Sequence, residues 1–561
     1  MLEETRTVDH KSTGIATRKF NRLVSNPVME DYALRYAPKS FRSWKEFTVA
    51  GAALGGIAYM ADFAIGGSIT VSYGFANAVW AIIAVAAVIF LTGIPIAYYS
   101  AKYNIDMDLL TRGAGFGYLG STLTSVIYAS FTFIFFSLEG SVMAQALNLY
   151  FGISLPLAYL ICALGIIPLV LFGMTFLAQL QKKSQLLWLI LMVTPFIAVL
   201  TKDPHSWTQW THFAGKSSSG HGFNSLLFAS ASGVTLSLIA QIGEQADYLR
   251  FMPNLTLKNR SKWWLAVLFA GPGWVVLGAL KQLGGSFLAS YIAPIVGMTN
   301  ADQPIKMFNS AYGTLFISGG AALLVATLYV LVSQVKINVT NAYSGSLSWS
   351  NFFSRIFHIH PGRVIWLMLN VGIALSLMEG DVFSFLGYIL GFYSNVAVAW
   401  IGAVVADLVI NKPLGLSPSF IEFKRAHLYN FNPVGFGSMI LGSVISVLAF
   451  FNLFGTTLQA WSPFLALGIA FVASPIIAFI TKGKYYIARE PLPEEIDTGE
   501  DVDGAAVTAT CAVCQFDFEA QDMAFCPFHS GAICSLCCSL DKSCHDMCKT
   551  ASKLVNISAK P

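Results

Sequence analysis

The sequence predicts an all-α polytopic membrane protein with twelve transmembrane helices, followed by a small cysteine-rich module that binds metal. Three observations carry this prediction. Of the 561 residues, 55% are hydrophobic and only 11% are charged, which is the balance of a polytopic membrane protein rather than a soluble domain. Apolar stretches of bilayer-spanning length recur along most of the chain. Eight of the nine cysteines fall between Cys511 and Cys548.

The chain opens with a polar and basic segment, residues 1–45, which contains no apolar core of a cleavable signal. Twelve apolar spans, numbered here one to twelve, then form a predicted transporter domain, residues 46–485. Lysine and arginine are frequent in the even-numbered connections and sparse in the odd-numbered ones, so both termini are predicted to be cytoplasmic in the inner (plasma) membrane. The spans lie near residues 47–72, 76–99, 119–147, 154–177, 185–201, 223–246, 263–289, 312–343, 363–380, 384–410, 435–455 and 459–481.

Spans one and six are expected to be broken helices. Span one places five glycines around Asp62, and span six has small residues before Glu244 and Asp247. Glycines also let helices pack closely, but interrupted spans in corresponding positions are typical of inverted-repeat transporters, which hold the substrate where the helices unwind. Acids at membrane depth are costly unless they face protein or a watery cavity. Asp62, Glu244 and Asp247 are therefore candidate site residues.

Span eight changes from apolar to polar without a turn residue. Residues 321–332 are almost wholly apolar, and Gln334, Lys336, Asn338 and Asn341 follow. On a helix Gln334, Asn338 and Asn341 share one face, and a row of amides at membrane depth indicates a path or a binding site. The alternative for Lys336 is that it snorkels to the cytoplasmic interface from the end of the helix.

Three segments resemble the purine-cytosine permease family, the nucleobase cation symporter-1 family. They are NPVMEDYALRYAPKSFRSW before span one, GEQADYLRFMP at the end of span six, and QVKINVTNAYSGSLSWSNFFSR in span eight. The resemblance covers about residues 30–485. It implies a five-plus-five inverted-repeat fold with two additional helices, and solute-cation symport by alternating access.

The resemblance also implies where the substrate binds in span three. The family often places an aromatic residue there and an amide one helical turn later. Phe135 and Glu139 stand at that spacing, so an acid replaces the amide. We expect Glu139 to face the central cavity, either protonated or paired. The alternative is a structural ion pair of Glu139 with Lys281 or Lys336.

Amide groups are the expected hydrogen-bonding groups for the substrate. Asn338 fits the family's amide position in span eight, whereas Ala342 replaces the second asparagine and Asn341 lies one residue earlier. Planar heterocycles such as nucleobases, hydantoins or allantoin are recognised by stacking on aromatic rings and by paired amide hydrogen bonds. The acids also leave room for a cationic or amine-bearing substrate. The predicted substrate-binding residues are Phe135, Glu139, Gln241, Gln245, Asn338 and Asn341.

Coupling to protons rather than to sodium is the expectation. Sodium-coupled members of the family use span-one backbone carbonyls and small hydroxyl residues of span eight, and Val335 and Lys336 replace these hydroxyls. An ammonium there takes the cation's place electrostatically. If the alignment is shifted by a residue or two, Ser333 and Thr340 lie nearer the ion and sodium remains an option. The predicted ion-coupling residues are Asp62, Glu244, Asp247 and Lys336, with Glu139 as a further candidate for protonation.

The tail begins with an acidic linker, residues 486–508, which is too polar to pack. The cysteine-rich module follows at residues 509–550. In a reducing cytoplasm thiol clusters are metal ligands more often than disulfides, and a module of this size needs such a staple to fold. The spacing suits tetrahedral zinc, and an iron-sulfur cluster is an alternative. Two interleaved sites are predicted, one from Cys511, Cys514, Cys534 and Cys537 and the other from Cys526, His529, Cys544 and Cys548, with Cys538 or His545 as alternatives to His529.

The leading functional hypothesis is a secondary transporter that imports a nucleobase-like or related nitrogenous compound by cation symport. The alternative is a transporter-like solute sensor that signals through the tail to a cytoplasmic partner. The tail shows no open metal site or phosphate loop, and the intramembrane acids and lysines show no nucleophile-and-base arrangement. Neither an enzyme nor a nucleic-acid-binding protein is expected.

Overall fold

The computed structural model describes residues 34–39, 42, 44–171, 173–217, 222–491 and 507–549. Most of the predicted N-terminal segment and of the acidic linker lies outside these residues. The described chain forms a helical bundle, which contains the predicted spans, and a small tail of strands and one helix.

Helices occupy each of the twelve stretches that the sequence predicts to be spans. Span one contains two helices, α1 and α2, and span six contains α9 and α10. The first helices are α1 Glu46–Gly55, α2 Ala61–Tyr73, α3 Phe75–Tyr103, α4 Met107–Thr111, α5 Ser121–Phe151, α6 Leu155–Leu171, α7 Gly173–Lys202 and α8 His205–Thr211. The later ones are α9 Ser225–Leu236, α10 Ile242–Leu249, α11 Arg260–Ala270, α12 Trp274–Val296, α13 Pro304–Gly313, α14 Gly319–Phe357, α15 Arg363–Glu379, α16 Leu386–Ala406, α17 Gly435–Phe450, α18 Thr456–Ala460 and α19 Ser462–Thr481.

The length and composition of these helices identify an integral membrane protein. Within the described residues eight helices are long and apolar enough to cross a membrane, or nine when α1 and α2 count as one span. Two more, α6 and α17, are apolar but only 17 and 16 residues long. Twelve crossings and an internal repeat therefore stay predictions.

Both spans that were predicted to be broken are interrupted. Helices α1 and α2 meet at an angle of 48° around the 3-10 turn Gly56–Ala58. Span six changes to a 3-10 turn over Ser237–Gln241 between α9 and α10. Breaks of this kind free backbone N–H and C=O groups in the middle of the bundle, where side chains or a ligand can bond to them.

Two long helix pairs build the centre of the bundle: α14 lies along α5, and α12 lies along α2. The contact of α2 with α12 depends on glycine. A Cβ on Gly66 would lie only 1.9 Å from the carbonyl oxygen of Gln282. The two backbones therefore touch, as small residues permit, and span seven is held against the break in span one.

The tail consists of two β-hairpins and a short helix. Strands β1 Thr508–Thr510 and β2 Asp517–Glu519 pair antiparallel, as do β3 Met523–Cys526 and β4 Gly531–Cys534. Helix α20, Ser535–Leu540, follows β4 directly. With so few residues in regular structure, the module buries little apart from its cysteines.

The tail lies on the same face of the bundle as the segment before span one. Nε of Arg35 lies 2.5 Å from a carboxylate oxygen of Asp522, and the hydroxyl of Tyr36 donates to the carboxylate of Glu519. From the other side of the tail, Arg489 donates to the carbonyl oxygen of Phe525 at 2.7 Å. Both described ends of the chain thus meet on one face, which we call the tail face.

Candidate functional site

Glu139 lies at the break in span one. Its carboxylate accepts hydrogen bonds from the backbone N–H groups of Met60, at 3.2 Å, and Ala61, at 3.0 Å. These N–H groups begin α2, where the unpaired donors and the positive end of the helix dipole favour an anion. The side-chain amide of Gln334 also donates to this carboxylate and, at 3.0 Å, to the carbonyl oxygen of Glu139. Span three, span eight and the start of α2 are joined through one carboxylate.

Lys281 of α12 lies on the other side of the same break. Its ammonium donates to the carbonyl oxygens of Ile57, at 2.6 Å, and Tyr59, at 2.9 Å. It also lies 3.0 Å from a carboxylate oxygen of Asp62 and 3.7 Å from the centre of the Tyr59 ring. The unpaired carbonyls where α1 ends attract positive charge. A tethered cation therefore occupies the span-one carbonyls.

The role of Lys281 was not predicted, because its sequence position says nothing about which carbonyls it reaches. A signal for it was present: Lys281 is the only charged residue of α12, and a lysine inside an apolar span is seldom without function. Its neighbour Gln282 contributes too, donating to the other carboxylate oxygen of Asp62 at 2.9 Å. The structure thus pairs Lys281 with Asp62 and not with Glu139.

Lys336, which was predicted to stand in the cation's place, is positioned elsewhere. Its ammonium donates to the carbonyl oxygen of Gln181 and to the hydroxyl of Ser184, both at 2.9 Å. Gln181 in turn donates to the carbonyl oxygen of Lys336 at 2.7 Å. Lys336 is only 1% exposed, so it does not snorkel to water. It joins span eight to span five, and the ammonium at the span-one carbonyls belongs to Lys281.

The two asparagines of span eight share one hydrogen bond, which leaves one donor and one acceptor unpaired within the described chain. Asn341 donates to the side-chain oxygen of Asn338 at 3.3 Å. The amide nitrogen of Asn338 and the side-chain oxygen of Asn341 are buried and have no hydrogen-bond partner among the described residues. The free nitrogen faces span three, because a Cβ on Gly140 would lie 3.8 Å from it. Buried polar groups rarely go unpaired, so this donor and this acceptor are candidates for hydrogen bonds to a substrate.

The break in span six supplies further polar groups. Gln241 ends the 3-10 turn and donates to the carboxylate of Glu244 at 2.5 Å. The second carboxylate oxygen of Glu244 and the side-chain oxygen of Gln245 are buried without a partner in the described part of the chain. Span six therefore has two buried acceptors without a partner among the described residues.

Asp247 and Phe135, the remaining predicted residues of the bundle, both contact other side chains. Asp247 accepts from the hydroxyls of Tyr128, at 3.0 Å, and Ser344, at 2.5 Å, so it ties spans three, six and eight together. The ring of Phe135 packs on that of Phe131, with 4.5 Å between ring centres. The predicted residues of the bundle, from Asp62 to Asn341, are at most 3% exposed, so all of them are shielded from solvent.

The tail brings together the first predicted group of metal ligands. The sulfur atoms of Cys511, Cys514, Cys534 and Cys537 all lie within 4.8 Å of one another, and all four residues are buried. The N–H of Cys534 donates to the sulfur of Cys511 at 3.3 Å. Hydrogen bonds from Cys514, then from Cys534 and Cys537, lower the pKa of the Cys511 thiol well below its usual range. Four buried sulfurs this close together fit a tetrahedral metal ion.

The second predicted group is arranged differently. Cys526, Cys544 and Cys548 line one small cavity, together with Cys538. Nε2 of His529 instead lies 2.5 Å from a carboxylate oxygen of Asp541.

The fold matches that of solved membrane transporters. MHP1, a nucleobase-cation-symport-1 family transporter in a closed conformation with bromovinylhydantoin bound, superposes with a TM-score of 0.58 at 17% identity, over 82% of this chain and 99% of that one. The inward-facing conformation of Mhp1 gives 0.54 at 16% identity, over 82% and 97%. A Na+-coupled sialic acid symporter in a substrate-bound outward-open state gives 0.52 at 15% identity, over 82% and 94%.

At such identities the likeness establishes the fold and not the substrate. No protein-family profile matches the sequence, and no curated protein does. The described bundle has the fold of cation-coupled symporters, and these structural neighbours are transporters rather than enzymes.

Proposed function

We propose that the protein is a secondary active transporter of the nucleobase cation symporter-1 family, which imports a nucleobase-like or related nitrogenous compound together with protons. The observation that carries this proposal is the row of buried amides in span eight, of which Gln334 reaches the break in span one. In transporters with broken helices the substrate binds where the helices unwind. The hydantoin bound by the structural neighbour MHP1 belongs to the same class of compound as purines, pyrimidines and allantoin.

The free groups match the edge of a nitrogen heterocycle. Such a ring presents N–H donors and carbonyl acceptors side by side. The free nitrogen of Asn338 donates, and the free oxygens of Asn341 and Gln245 accept. Phe135, one helical turn before Glu139, is the proposed stacking surface. Each buried group that the substrate pairs with removes an unsatisfied polar atom, which favours a heterocycle over an apolar molecule.

The position of the Lys281 ammonium at the span-one carbonyls supports coupling to protons rather than to sodium. The carbonyl oxygens of Ile57 and Tyr59 accept from the ammonium of Lys281. A sodium ion at these carbonyls would have to displace a covalently attached charge that is paired with Asp62. Protonation of Asp62 would instead cancel the pair's attraction and free Lys281 to move away from the break. We therefore propose that the Asp62 and Lys281 pair carries the transported proton.

The tail is proposed to bind zinc and to lie in the cytoplasm. Cys511, Cys514, Cys534 and Cys537 fit a structural zinc ion, which would supply the folding energy that a module of this size lacks. The even-numbered loops are basic, which supports a cytoplasmic position for the tail face and for both chain ends. A reducing cytoplasm also keeps the thiols available to metal.

Uptake into proteoliposomes tests the function. Radiolabelled uracil, cytosine, adenine, allantoin and hydantoin are offered singly, with a proton gradient or a sodium gradient imposed separately. We expect one of them to accumulate with the proton gradient alone. Accumulation that needs sodium would refute the role given to Lys281. Saturable binding without accumulation under either gradient would refute transport and favour a sensor.

A further inference from the structure

The four remaining cysteines of the tail surround one small cavity. Cys526, Cys538, Cys544 and Cys548 line it, and Ala426, in the loop between α16 and α17, closes it from the bundle side. Cys526 and Cys544 are each 7% exposed and Cys548 is 9% exposed. Thiols held together away from water, outside an oxidising compartment, are metal ligands more often than packing residues.

Helix α20 explains how one small module serves two groups of sulfurs. Cys537 belongs to the group with Cys511, and Cys538 follows it directly. Successive residues on a helix are about 100° apart around its axis, so the two side chains leave α20 in different directions. The hairpin of β3 and β4 also supplies one cysteine to each group, because its two cysteines lie at opposite ends. Cys534 is paired with Met523 at one end of the hairpin, and Cys526 lies at the other end.

The non-cysteine groups near the cavity already have partners. His529 is bonded to Asp541, and His545 is exposed. The two carboxylate oxygens of Asp546 lie 3.0 Å from Arg425 and 3.0 Å from Lys549. The four sulfurs, which line one cavity, are the ligand set that the geometry favours.

Arg425 connects this cavity to the bundle. Its guanidinium donates to the carbonyl oxygens of Cys538 and Asp541, both at 2.6 Å, in addition to its ion pair with Asp546. Zinc with four thiolates carries a net negative charge, and a cation bonded next to a ligand offsets it. Arg425 lies in the loop between α16 and α17, whereas the sulfurs lie in the tail, so metal binding and docking share the same contacts.

We propose that Cys526, Cys538, Cys544 and Cys548 bind a second zinc ion, and that this ion fastens the tail to the loop between α16 and α17 through Arg425. Only the first group has its ligand atoms within 4.8 Å of one another among the described residues. Zinc binding therefore draws the second group together around the cavity. This proposal is independent of what the bundle transports.

Metal content of the purified full chain is the first test. A Cys162→Ser chain, which keeps every tail cysteine, is expected to hold two zinc ions per chain, measured by elemental mass spectrometry against amino-acid analysis. Cys538→Ser should reduce the content to one, and His529→Asn should leave it at two. One zinc in the parent chain, two in Cys538→Ser, or one in His529→Asn would each overturn the proposal.

Alkylation of the native protein decides the case in which Cys538→Ser loses both ions through unfolding. The parent chain is treated with a maleimide before and after a chelator removes zinc, and the labelled cysteines are mapped by mass spectrometry. We expect all eight tail cysteines, including Cys538, to become reactive only after chelation. Labelling of Cys538 that is the same with and without zinc would rule it out as a ligand.

Arg425→Met tests the link to the bundle, because it keeps all eight sulfurs. The second zinc should be lost at a chelator concentration about tenfold lower than in the parent chain, in line with the usual effect of removing a group that supports a metal ligand. Lys484→Met, which removes an exposed charge from the same face, should have no such effect. Equal zinc retention in Arg425→Met and the parent chain would refute the fastening role.

Discussion

Replacement of Lys281 by methionine is expected to destabilise the protein and to abolish proton-driven uptake. Methionine keeps a long apolar stem but removes the charge. The change removes the ammonium that lies 3.0 Å from the carboxylate of Asp62, so the carboxylate stays buried without its counter-ion. It also removes the donor to the carbonyls of Ile57 and Tyr59. Removing one partner of a buried ion pair costs about 3–5 kcal/mol. The expected result is a large fall in the thermal unfolding midpoint of the detergent-solubilised protein.

A second substitution separates the charge effect from simple loss of packing. Asp62→Asn in the Lys281→Met background leaves no unpaired charge. We expect the double variant to be more stable than the sum of the two single changes predicts, by about 0.5–3 kcal/mol, as for residues in direct contact. Proton-driven accumulation should stay absent in the double variant, because the proposed proton carrier is gone.

Lys183→Met is the matched control. Lys183 is exposed on α7, and an exposed lysine away from such contacts should change stability by no more than about 0.5 kcal/mol. Additive effects of Lys281→Met and Asp62→Asn would show that the two residues do not interact. Proton-driven accumulation by Lys281→Met at the parent rate would refute the coupling mechanism even if the stability data agreed with it.

Three further predictions concern the binding groups, the helix contact and the tail. Asn338→Ala should raise the KM for uptake about tenfold, because one buried hydrogen bond to substrate is worth about 1–3 kcal/mol when its partner is left unpaired. The control Asn309→Ala, on a half-exposed side of α13, should leave the KM unchanged. Equal KM values for the two variants would remove Asn338 from the site. Gly66→Ala puts a methyl group against a carbonyl oxygen and should lower the stability of the protein by about 1–3 kcal/mol. The control Gly165→Ala meets nothing within 4 Å and should have little effect. If both variants unfold at the same temperature, the close contact of α2 with α12 does not depend on Gly66. Cys514→Ser should lose one zinc ion per chain and make the tail sensitive to protease, and retention of the full zinc content would contradict the assignment of this ligand.

Local patterns allowed much of the fold to be predicted from the sequence. The break in span one follows from glycines around Asp62, because glycine favours close packing and broken helices over a uniform apolar helix. The four sulfurs that begin with Cys511 were predicted because two short repeats of the form CxxC fix each pair of ligands on one turn of chain. In both cases the residues that carry the signal are neighbours in sequence.

The contacts between spans could not be predicted in the same way. Lys281 and Lys336 are both single lysines in apolar helices, and a helix turns by about 100° per residue. A small error in alignment therefore moves a side chain from one neighbouring helix to another. The alignment with the resembled family put Lys336 in the cation's place, whereas the structure has Lys281 at the span-one carbonyls and joins Lys336 to Gln181. The same geometry separates Cys537 from Cys538.

The bond between Arg35 and Asp522 joins residues 487 positions apart. During synthesis, the chain before span one leaves the ribosome long before the tail exists, so its contacts with Asp522 and Glu519 form only after those residues have been made. Arg35 and Tyr36 lack these two partners while the spans insert, and a chain that stops before residue 507 does not provide them. Closure of the tail face is therefore a late step of folding, which follows the synthesis of every span.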